Sequence, residues 1–293
     1  MDVFITGGSG RIGSAVIAEL LTHGHTVLAL ARSDASAAVL EGAGAETLRG
    51  NLADLDAIRA GAARAEGVIH LAFGNDFSSP EALAHNIAEE TAALTALSKE
   101  LLGTDRPLVT VAGTPRADGR PSTENDPLPV EGPVAGRSVT VTRILGLASE
   151  GLRSTAVRLP RTVHSNGDGG FAGVLTQIAR QSRVSGYPGD GAQRWPAVHA
   201  ADAAVLFRLA LEQAPAGSSW HAVADEGDAV RDIAGVIGRR LGVPVESVPA
   251  STYGALGAIF AVDQPASSAI TREKLGWQPT HLSLLDDLES IQP

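Results

Sequence analysis

Short apolar runs alternate with longer amphipathic segments through the first half of the chain. Predicted strands occupy residues 2–6, 25–31, 45–49, 67–72, 107–112 and 154–159, where mainly apolar residues follow one another. Predicted helices occupy residues 12–23, 55–63, 80–102 and 134–150, where apolar residues recur three and four positions apart. Strands that alternate with helices predict an α/β fold with a parallel, doubly wound sheet.

The pattern is looser after residue 159. Predicted helices occupy residues 171–182, 200–213, 228–241 and 282–291, with one strand at 220–223 and a turn-rich loop at 190–195. A polar, glycine- and proline-rich loop covers residues 113–132. We expect a smaller α/β part at residues 161–293, with the chain crossing back to the first part near residues 195–215.

A glycine-rich turn joins the first strand to the first helix. Gly7, Gly10 and Gly13 have the spacing G-x-x-G-x-x-G directly after residues 2–6. Glycine allows the backbone to approach a pyrophosphate, and the helix N-terminus offers free N–H groups to it. Strand, turn and helix in this order predict a dinucleotide site, so residues 1–160 are predicted to form a Rossmann domain. The contacts expected from this turn are Gly7, Gly10, Arg11, Ile12 and Gly13.

The end of the second predicted strand indicates which dinucleotide binds. An acidic residue at this point would accept a hydrogen bond from the ribose 2′-hydroxyl and repel a 2′-phosphate. The chain instead has Arg32 and Ser33, and a guanidinium forms strong bonds with phosphate. We therefore predict NADP(H), with Arg11 near the same phosphate. For both arginines, an ordinary solvated side chain is the alternative.

Further cofactor contacts are expected where other strands end. Asn51 would lie at the adenine edge, where an amide can donate and accept, although a simple turn residue is the alternative. Asp54 is expected to cap the helix at 55–63, and His70 to be a core histidine. The remaining predicted cofactor contacts are Leu52, Leu71, Ala72, Ala112, Leu159 and Val163.

Composition excludes several classes of protein. Of the 293 residues, 44% are hydrophobic and 19% charged, as in an ordinary globular protein. The net charge of −10 argues against nucleic acid or an anionic membrane surface as a partner. Because cysteine is absent, disulfides, thiolate catalysis and cysteine-based metal sites are excluded, and no metal site is expected.

The expected location and source also follow from composition. No apolar run is long enough to span a membrane, and the first strand leaves no room for a signal peptide, so a cytoplasmic protein is expected. Lys99 and Lys274 are the two lysines against 21 arginines. This excess is typical of GC-rich coding DNA, and we expect a bacterial source.

Several motifs together resemble the extended short-chain dehydrogenase/reductase superfamily over nearly the whole chain. They are TGGSGRIG (6–13), GVIHLA (67–72), GLRSTAVRLPRTVHS (151–165), WPAVHAADAA (195–204) and KLGWQP (274–279). The resemblance implies a Rossmann fold, a nicotinamide dinucleotide and a substrate cleft. It also implies structural roles for His199 and Asp202. Relatives often pair two helices into a dimer interface, so a homodimer is a further expectation.

The catalytic pair of this superfamily is missing. The family's chemistry depends on Tyr-x-x-x-Lys, in which the tyrosine donates a proton and the lysine lowers the pKa of the tyrosine. The typical stretch Tyr-Gly-x-Ser-Lys corresponds to residues 135–139, so Ala135 replaces the tyrosine and Val139 the lysine. The family's serine position falls on Ala112 or Gly113. The chain therefore resembles the atypical subgroups that keep the fold and lose the active-site set.

Other residues are candidates for the vacant roles. Tyr187 and His164 could donate a proton, and Thr114 could bind a substrate oxygen. Each also has a structural alternative, as a turn residue, an unused loop histidine or a loop cap. The expected substrate contacts are Phe73, Asn75, Arg194 and Trp195.

Three functions remain open from the sequence. The first is an NADP(H)-dependent oxidoreductase that reduces a small carbonyl, imine or activated C=C without the usual acid. The second is an isomerase, cyclase or lyase that uses the same cleft, and the third is a regulator that binds NADP(H) without turnover. We favour the oxidoreductase, because an iminium or an activated C=C needs less help from a proton donor than a simple ketone.

Overall fold

A computed structural model describes residues 1–74 and 76–290. The strands, in chain order, are β1 Asp2–Thr6, β2 Thr26–Ala31, β3 Glu46–Arg49, β4 Gly67–His70, β5 Leu108–Gly113, β6 Ser154–Leu159, β7 Thr162–His164, β8 Ser185–Pro188, β9 Arg194–His199, β10 Ser218–His221, β11 Asp225–Ala229 and β12 Val245–Val248.

The helices are α1 Arg11–Thr22, α2 Asp34–Gly42, α3 Leu55–Ala63, α4 Pro80–Leu101, α5 Ala135–Gly146, α6 Gly170–Ser182, α7 Ala200–Gln213, α8 Val230–Leu241, α9 Gly257–Phe260, α10 Ala269–Leu275 and α11 Leu284–Ser290. Short 3₁₀ segments follow α5 at Leu147–Glu150 and precede α9 at Ala250–Leu256.

A seven-stranded sheet with the order β10-β6-β5-β4-β1-β2-β3 forms the centre of the molecule. Every neighbouring pair in it is parallel. The strand order runs outward from β1 in one direction and from β4 in the other, so these two strands mark the point where the order reverses. In such sheets a crevice for ligands opens at the carboxyl ends of the strands at this point. The predicted doubly wound α/β fold is confirmed.

The alternation of side chains in β1 shows why the sheet needs helices on both faces. Val3 and Ile5 pack on one face in a cluster with Val16 and Ile17 of α1. Phe4 points to the other face, where it belongs to the cluster around α3 and α4. Because successive strand residues point to opposite faces, a strand covered on both sides is apolar throughout.

The C-terminal half contains smaller sheets around a separate hydrophobic cluster. Strand β9 pairs with β7 in parallel and with β11 in antiparallel orientation, and β12 pairs with β8. Trp195 and Phe260 are fully buried in this cluster. Helix α7 packs on α1, and β10 joins β6 at the edge of the central sheet.

The sequence pattern missed several short elements. Helix α2 has a weak apolar stripe, because alanine and serine occupy four of its nine positions. Strands β7, β8, β11 and β12 have three to five residues each, and glycine, proline or acidic residues interrupt the apolar pattern of the last three. The predicted loop at 190–195 ends within β9. Local periodicity is too short in these segments to separate a strand from a loop.

Candidate functional site

The glycine turn between β1 and α1 brings backbone against backbone. Gly7 has a φ of +75°, and a Cβ atom added there would lie 2.7 Å from the backbone nitrogen of Ala72. A Cβ atom on Gly13 would lie 2.2 Å from the carbonyl oxygen of Gly7. Both positions therefore require glycine for the turn itself.

Gly10 has a different role, because its backbone is extended, with φ −81° and ψ 170°. An added Cβ atom would meet the Gly7 carbonyl oxygen at 3.4 Å and otherwise point into open space. No side chain caps α1 at Gly10, and the first turn of α1 carries no acidic residue. The N–H groups of this turn are thus available to an anion, and the open space suits a pyrophosphate.

A cavity of about 370 Å³ lies beside this turn at the carboxyl ends of the strands. The predicted site residues in its lining are Gly7, Gly10, Arg32, Asn51, Leu52, Leu71, Ala72 and Phe73. The lining residues that sequence reasoning missed are Ser9, Leu30, Gly50, Ala53, Gly74 and Glu89. Most of these adjoin a predicted residue in the chain, whereas Glu89 comes from α4, and the pattern of α4 does not show which residues face the cavity.

Arg32 and Ser33 differ in their availability to a ligand. Arg32 is exposed at the end of β2 and lines the cavity. The hydroxyl of Ser33 instead caps α2, because it accepts a hydrogen bond from the Ser36 backbone N–H at 3.2 Å. The helix cap thus uses this hydroxyl, while Ser33 is exposed and its predicted contact with the cofactor stays a prediction.

Arg11 also points away from the predicted phosphate. Its guanidinium donates to Oδ2 of Asp168 at 2.8 Å and to the carbonyl oxygen of Ser165 at 3.2 Å. These residues lie between β7 and α6, so Arg11 connects the glycine turn to the C-terminal half. Arg11 is thus held by an ion pair in this structure, and its contact with the 2′-phosphate stays a prediction.

Asn51 shapes the loop after β3 and also lines the cavity. Its Oδ1 accepts hydrogen bonds from the backbone N–H groups of Ala53 at 2.9 Å and Asp54 at 3.2 Å. Asp54 in turn caps α3 by accepting from the Ala57 backbone N–H at 3.0 Å, as predicted. The turn role of Asn51 is therefore present, and its amide nitrogen is the group left for a ligand.

A buried threonine–histidine pair lies where β1 and β4 end, next to the cavity lining. The hydroxyl of Thr6 accepts from the Ala72 backbone N–H at 3.3 Å and shares a hydrogen bond of 2.9 Å with Nδ1 of His70. Burial lowers the pKa of His70 to about 3, and the nearby positive charge of Arg137 adds to this effect. His70 is thus a neutral core residue that fixes the ends of β1 and β4.

Several other predicted cofactor residues lie in the hydrophobic core rather than in the cavity lining. Ile12, Leu159 and Val163 pack in the cluster between α1 and α7, and Ala112 packs beneath α5. Apolar residues at strand ends follow the same pattern whether they face a ligand or a neighbouring helix. The sequence therefore could not separate these two roles.

Both predicted proton donors pack against other residues of the protein. His164 is 1% exposed and its Nδ1 lies 2.8 Å from Oδ2 of Asp287 in α11. Tyr187 lies in β8 and packs against the C-terminal cluster. The buried histidine cannot reach a substrate, so the catalytic role predicted for His164 is wrong.

Thr114 is buried where β5 and β6 end. Its N–H donates to the Leu159 carbonyl oxygen at 2.9 Å, and its carbonyl oxygen accepts from Nε2 of Gln264 at 2.6 Å. Its hydroxyl is also buried. Thr114 therefore joins this edge of the sheet to the chain near residue 264, and the predicted contact with a substrate oxygen is not supported.

The predicted substrate contacts in β9 have other partners. Arg194 forms a two-pronged ion pair with Asp263, with a nitrogen–oxygen distance of 2.8 Å, and this contact raises the pKa of Arg194. Trp195 is fully buried, and its ring lies 5.1 Å from that of Phe260. Trp195 is therefore a core residue, which corrects its predicted role. Asn75 lies outside the described residues.

The positions that correspond to the family's tyrosine and lysine lie in α5. Ala135 and Val139 occupy this helix, and the Val139 side chain is 54% exposed. Neighbouring Arg137 instead binds Glu90 of α4 through two hydrogen bonds of 2.7 Å. Its guanidinium also lies 3.9 Å from the ring centroid of Phe73, which lines the cavity. Neither side chain on the helix, at 135 or at 139, can donate a proton.

Residues 1–74 and 76–290 contain neither a candidate metal cluster nor a helix suited to cross a membrane. We found no cluster of three or more histidine, aspartate and glutamate side chains that could hold a metal ion. Within the same residues, no helix has the length and apolar character needed to cross a membrane.

Comparison with known proteins assigns the chain to a family. The pattern of the NAD dependent epimerase/dehydratase family matches residues 3–223. An uncharacterized protein of Schizosaccharomyces pombe is 43% identical over 296 residues, covering 99% of each chain. The 2-alkyl-3-oxoalkanoate reductase of Stenotrophomonas maltophilia is 29% identical over 75% of this chain and 68% of its own. UDP-glucose 4-epimerase of Thermotoga maritima has the same fold, with a TM-score of 0.81, 20% identity, and coverage of 99% and 96%.

The protein is therefore a nucleotide-binding Rossmann-fold protein of the extended short-chain dehydrogenase/reductase superfamily. Within it, the chain belongs to the NAD dependent epimerase/dehydratase family, whose named members here are reductases and epimerases. The expected superfamily is thus confirmed. The two relatives that are at least 40% identical over 99% of this chain are from yeasts, so the comparisons do not support the bacterial source expected from the arginine excess.

Proposed function

We propose that the protein is an NADP(H)-dependent oxidoreductase that reduces a small organic carbonyl, imine or activated C=C. The observation that carries this proposal is the exposed Arg32 at the end of β2, in the lining of the cavity beside the glycine turn. The next acidic residue, Asp34, forms an ion pair with Arg49. An exposed guanidinium at this position favours a phosphate on the adenosine ribose.

The residues present fit the dinucleotide. The N–H groups at the start of α1 would hold the pyrophosphate, Arg32 the 2′-phosphate, and Asn51 the adenine edge. When bound, NADPH supplies a hydride. Leu71 and Ala72 would exclude water from one side of it. The protein supplies no proton from positions 135 and 139, so the proton comes from another side chain, from water or from the substrate.

The similarity to a reductase supports redox chemistry. The relative from Stenotrophomonas maltophilia is named a 2-alkyl-3-oxoalkanoate reductase. An electrophile that needs little protonation loses less than the roughly 10²–10⁴-fold that a general acid contributes. This favours imines and activated C=C bonds over simple ketones.

A screen of NADPH oxidation tests the proposed function. Carbonyls, imines and enones are offered separately, and absorbance at about 340 nm is followed with product analysis, because reduction must consume NADPH and substrate in equal amounts. We expect turnover with an activated acceptor and much slower turnover with simple ketones. Binding of NADPH without consumption by any acceptor would instead support the regulatory function.

Cofactor preference gives a separate prediction. We expect NADPH to bind at least about tenfold more tightly than NADH, or about 1.4 kcal/mol, and Arg32→Asp to remove most of this preference. Calorimetric titration of both nucleotides measures it. Arg59→Asp makes the same charge change on α3, where Arg59 pairs with Asp56 outside the cavity lining, and should leave the preference intact. Equal affinity of the wild type for both nucleotides contradicts the assignment.

A further inference from the structure

Two aromatic rings stand at the edge of the nucleotide cavity. Phe73 lines the cavity directly after β4, and Phe77 follows it in the segment that leads to α4. Their ring centroids are 6.1 Å apart with an angle of 38° between the planes, which is within the range of favourable aromatic contacts. We call these two residues the aromatic pair.

One member of the aromatic pair is exposed and the other is half-buried. Phe77 is 64% exposed although it is a large apolar residue. A single exposed apolar residue needs no explanation, but this one contacts a ring that already lines a ligand cavity. The apolar patch is therefore continuous with the proposed cofactor site, and a substrate must lie next to that cofactor.

Buried charges hold Phe73 in place. The guanidinium of Arg137 lies 3.9 Å from the centre of the Phe73 ring, and two hydrogen bonds fix it on Glu90. Glu90 is 3% exposed, so its charge is compensated by Arg137 rather than by water. A cation against one face of an aromatic ring restricts the ring and leaves its other surface for contact with a ligand.

The charge of this region favours a neutral substrate. The charge of Arg137 is neutralised by Glu90, and Glu89 adds a carboxylate to the cavity lining. An anionic substrate would find no unpaired cation on this side of the cavity among the described residues, since Arg137 is in an ion pair. Flat apolar molecules, in contrast, stack well on aromatic rings.

We propose that the aromatic pair binds a flat, neutral, conjugated carbonyl compound such as an aryl enone, an inference that rests on the proposed oxidoreductase function. Ala135 and Val139 agree with an enone as substrate. Conjugation spreads the developing negative charge, so the reaction needs less help from an acid than the reduction of a simple ketone. The β carbon of the enone gains the hydride, the C=C electron pair shifts to the bond between the α carbon and the carbonyl carbon, and the C=O pair moves to the oxygen. Water then protonates the α carbon and leaves as hydroxide, which restores the C=O bond and gives the saturated ketone, while the dihydronicotinamide is oxidised to the nicotinamide.

Three matched compounds test the substrate class. Benzylideneacetone has both the aromatic ring and the conjugated C=C, cyclohexenone lacks the aromatic ring, and benzylacetone lacks the conjugated C=C. We expect kcat/KM for benzylideneacetone to exceed that for cyclohexenone by about tenfold, because of the aromatic contacts, and no consumption of benzylacetone. Equal or faster turnover of cyclohexenone overturns the inference and leaves the oxidoreductase function intact.

A binding measurement makes the test independent of turnover. Benzylideneacetone is titrated calorimetrically into the protein saturated with NADP⁺, for the wild type and for Phe77→Ala. Because Phe77 is exposed, this variant should fold normally. We expect Phe77→Ala to weaken binding of benzylideneacetone by about fivefold to tenfold. Val39→Ala, which truncates another exposed apolar residue in α2, should leave this affinity unchanged.

The outcomes separate the two proposals. Unchanged benzylideneacetone affinity in Phe77→Ala overturns the aromatic site, whatever the activity of the enzyme. Affinity that depends on Phe77, without oxidation of NADPH by any compound, supports the aromatic site and contradicts the proposed oxidoreductase function.

Discussion

Replacing Gly10 with valine is expected to abolish nucleotide binding while the fold persists. The backbone of Gly10 is extended, so valine can adopt it without strain. Its side chain would enter the open space at the start of α1, where a pyrophosphate must approach the free N–H groups. We expect the Kd for NADPH to rise by at least about 100-fold, or about 2.7 kcal/mol, in a calorimetric titration.

Gly146→Ala serves as the control for this prediction. Gly146 ends α5, and a Cβ atom added there meets nothing within 4 Å, so this variant should bind NADPH normally. Circular dichroism spectra of both variants should match the wild type. Normal NADPH binding by Gly10→Val would mean that the phosphates bind at another place on the protein.

The glycine turn could be predicted from sequence because all its determinants are local. Strand, turn and helix follow one another within the first 22 residues, and the structure uses Gly7 and Gly13 for close backbone contacts as expected. The same holds for Arg32 and Asn51, since both lie directly after strands whose apolar runs are clear. Local patterns determine these positions, and the parallel sheet then brings them to one edge.

The failures have two physical causes. The ion pair of Arg11 could not be foreseen, because its partner Asp168 is 157 residues away in the chain and a sequence does not show long-range ion pairs. Trp195 was misassigned because a tryptophan beside an arginine resembles a binding site, whereas alternation in β9 buries the ring. The role of Ser33 as a helix cap could have been recognised from the sequence, because Ser36, three residues later, completes the capping box.

The aromatic pair illustrates what a sequence leaves open in a site. Phe73 was predicted as a substrate contact from its place after β4, but nothing in the sequence connects it with Arg137 on α5. The contact exists because α4 and α5 pack side by side, which brings Glu90 and Arg137 together. Tertiary packing, rather than any local motif, thus places Arg137 of α5 against Phe73 in the cavity wall.

Breaking this support should have a large effect on stability. The side chain of Glu90 is 4% exposed and that of Arg137 is 26% exposed. Arg137→Met removes the cation but keeps much of the apolar stem, so Glu90 is left as a buried charge without a partner. Removing one member of such a pair costs about 3–5 kcal/mol, and we expect the free energy of unfolding to fall by about this amount. Urea denaturation followed by circular dichroism measures the loss.

Two further variants decide whether the uncompensated charge is the cause. Adding Glu90→Gln to Arg137→Met removes the charge and should restore at least about half of the lost stability, because a neutral amide costs less to bury than a carboxylate. Arg143→Met makes the same substitution on the same helix, where Arg143 is exposed and donates to Thr95. We expect that control to cost less than about 1 kcal/mol. If Arg143→Met and Arg137→Met are equally mild, the Glu90–Arg137 pair does not hold α5 against α4, and the fixed position of Phe73 must come from its other neighbours.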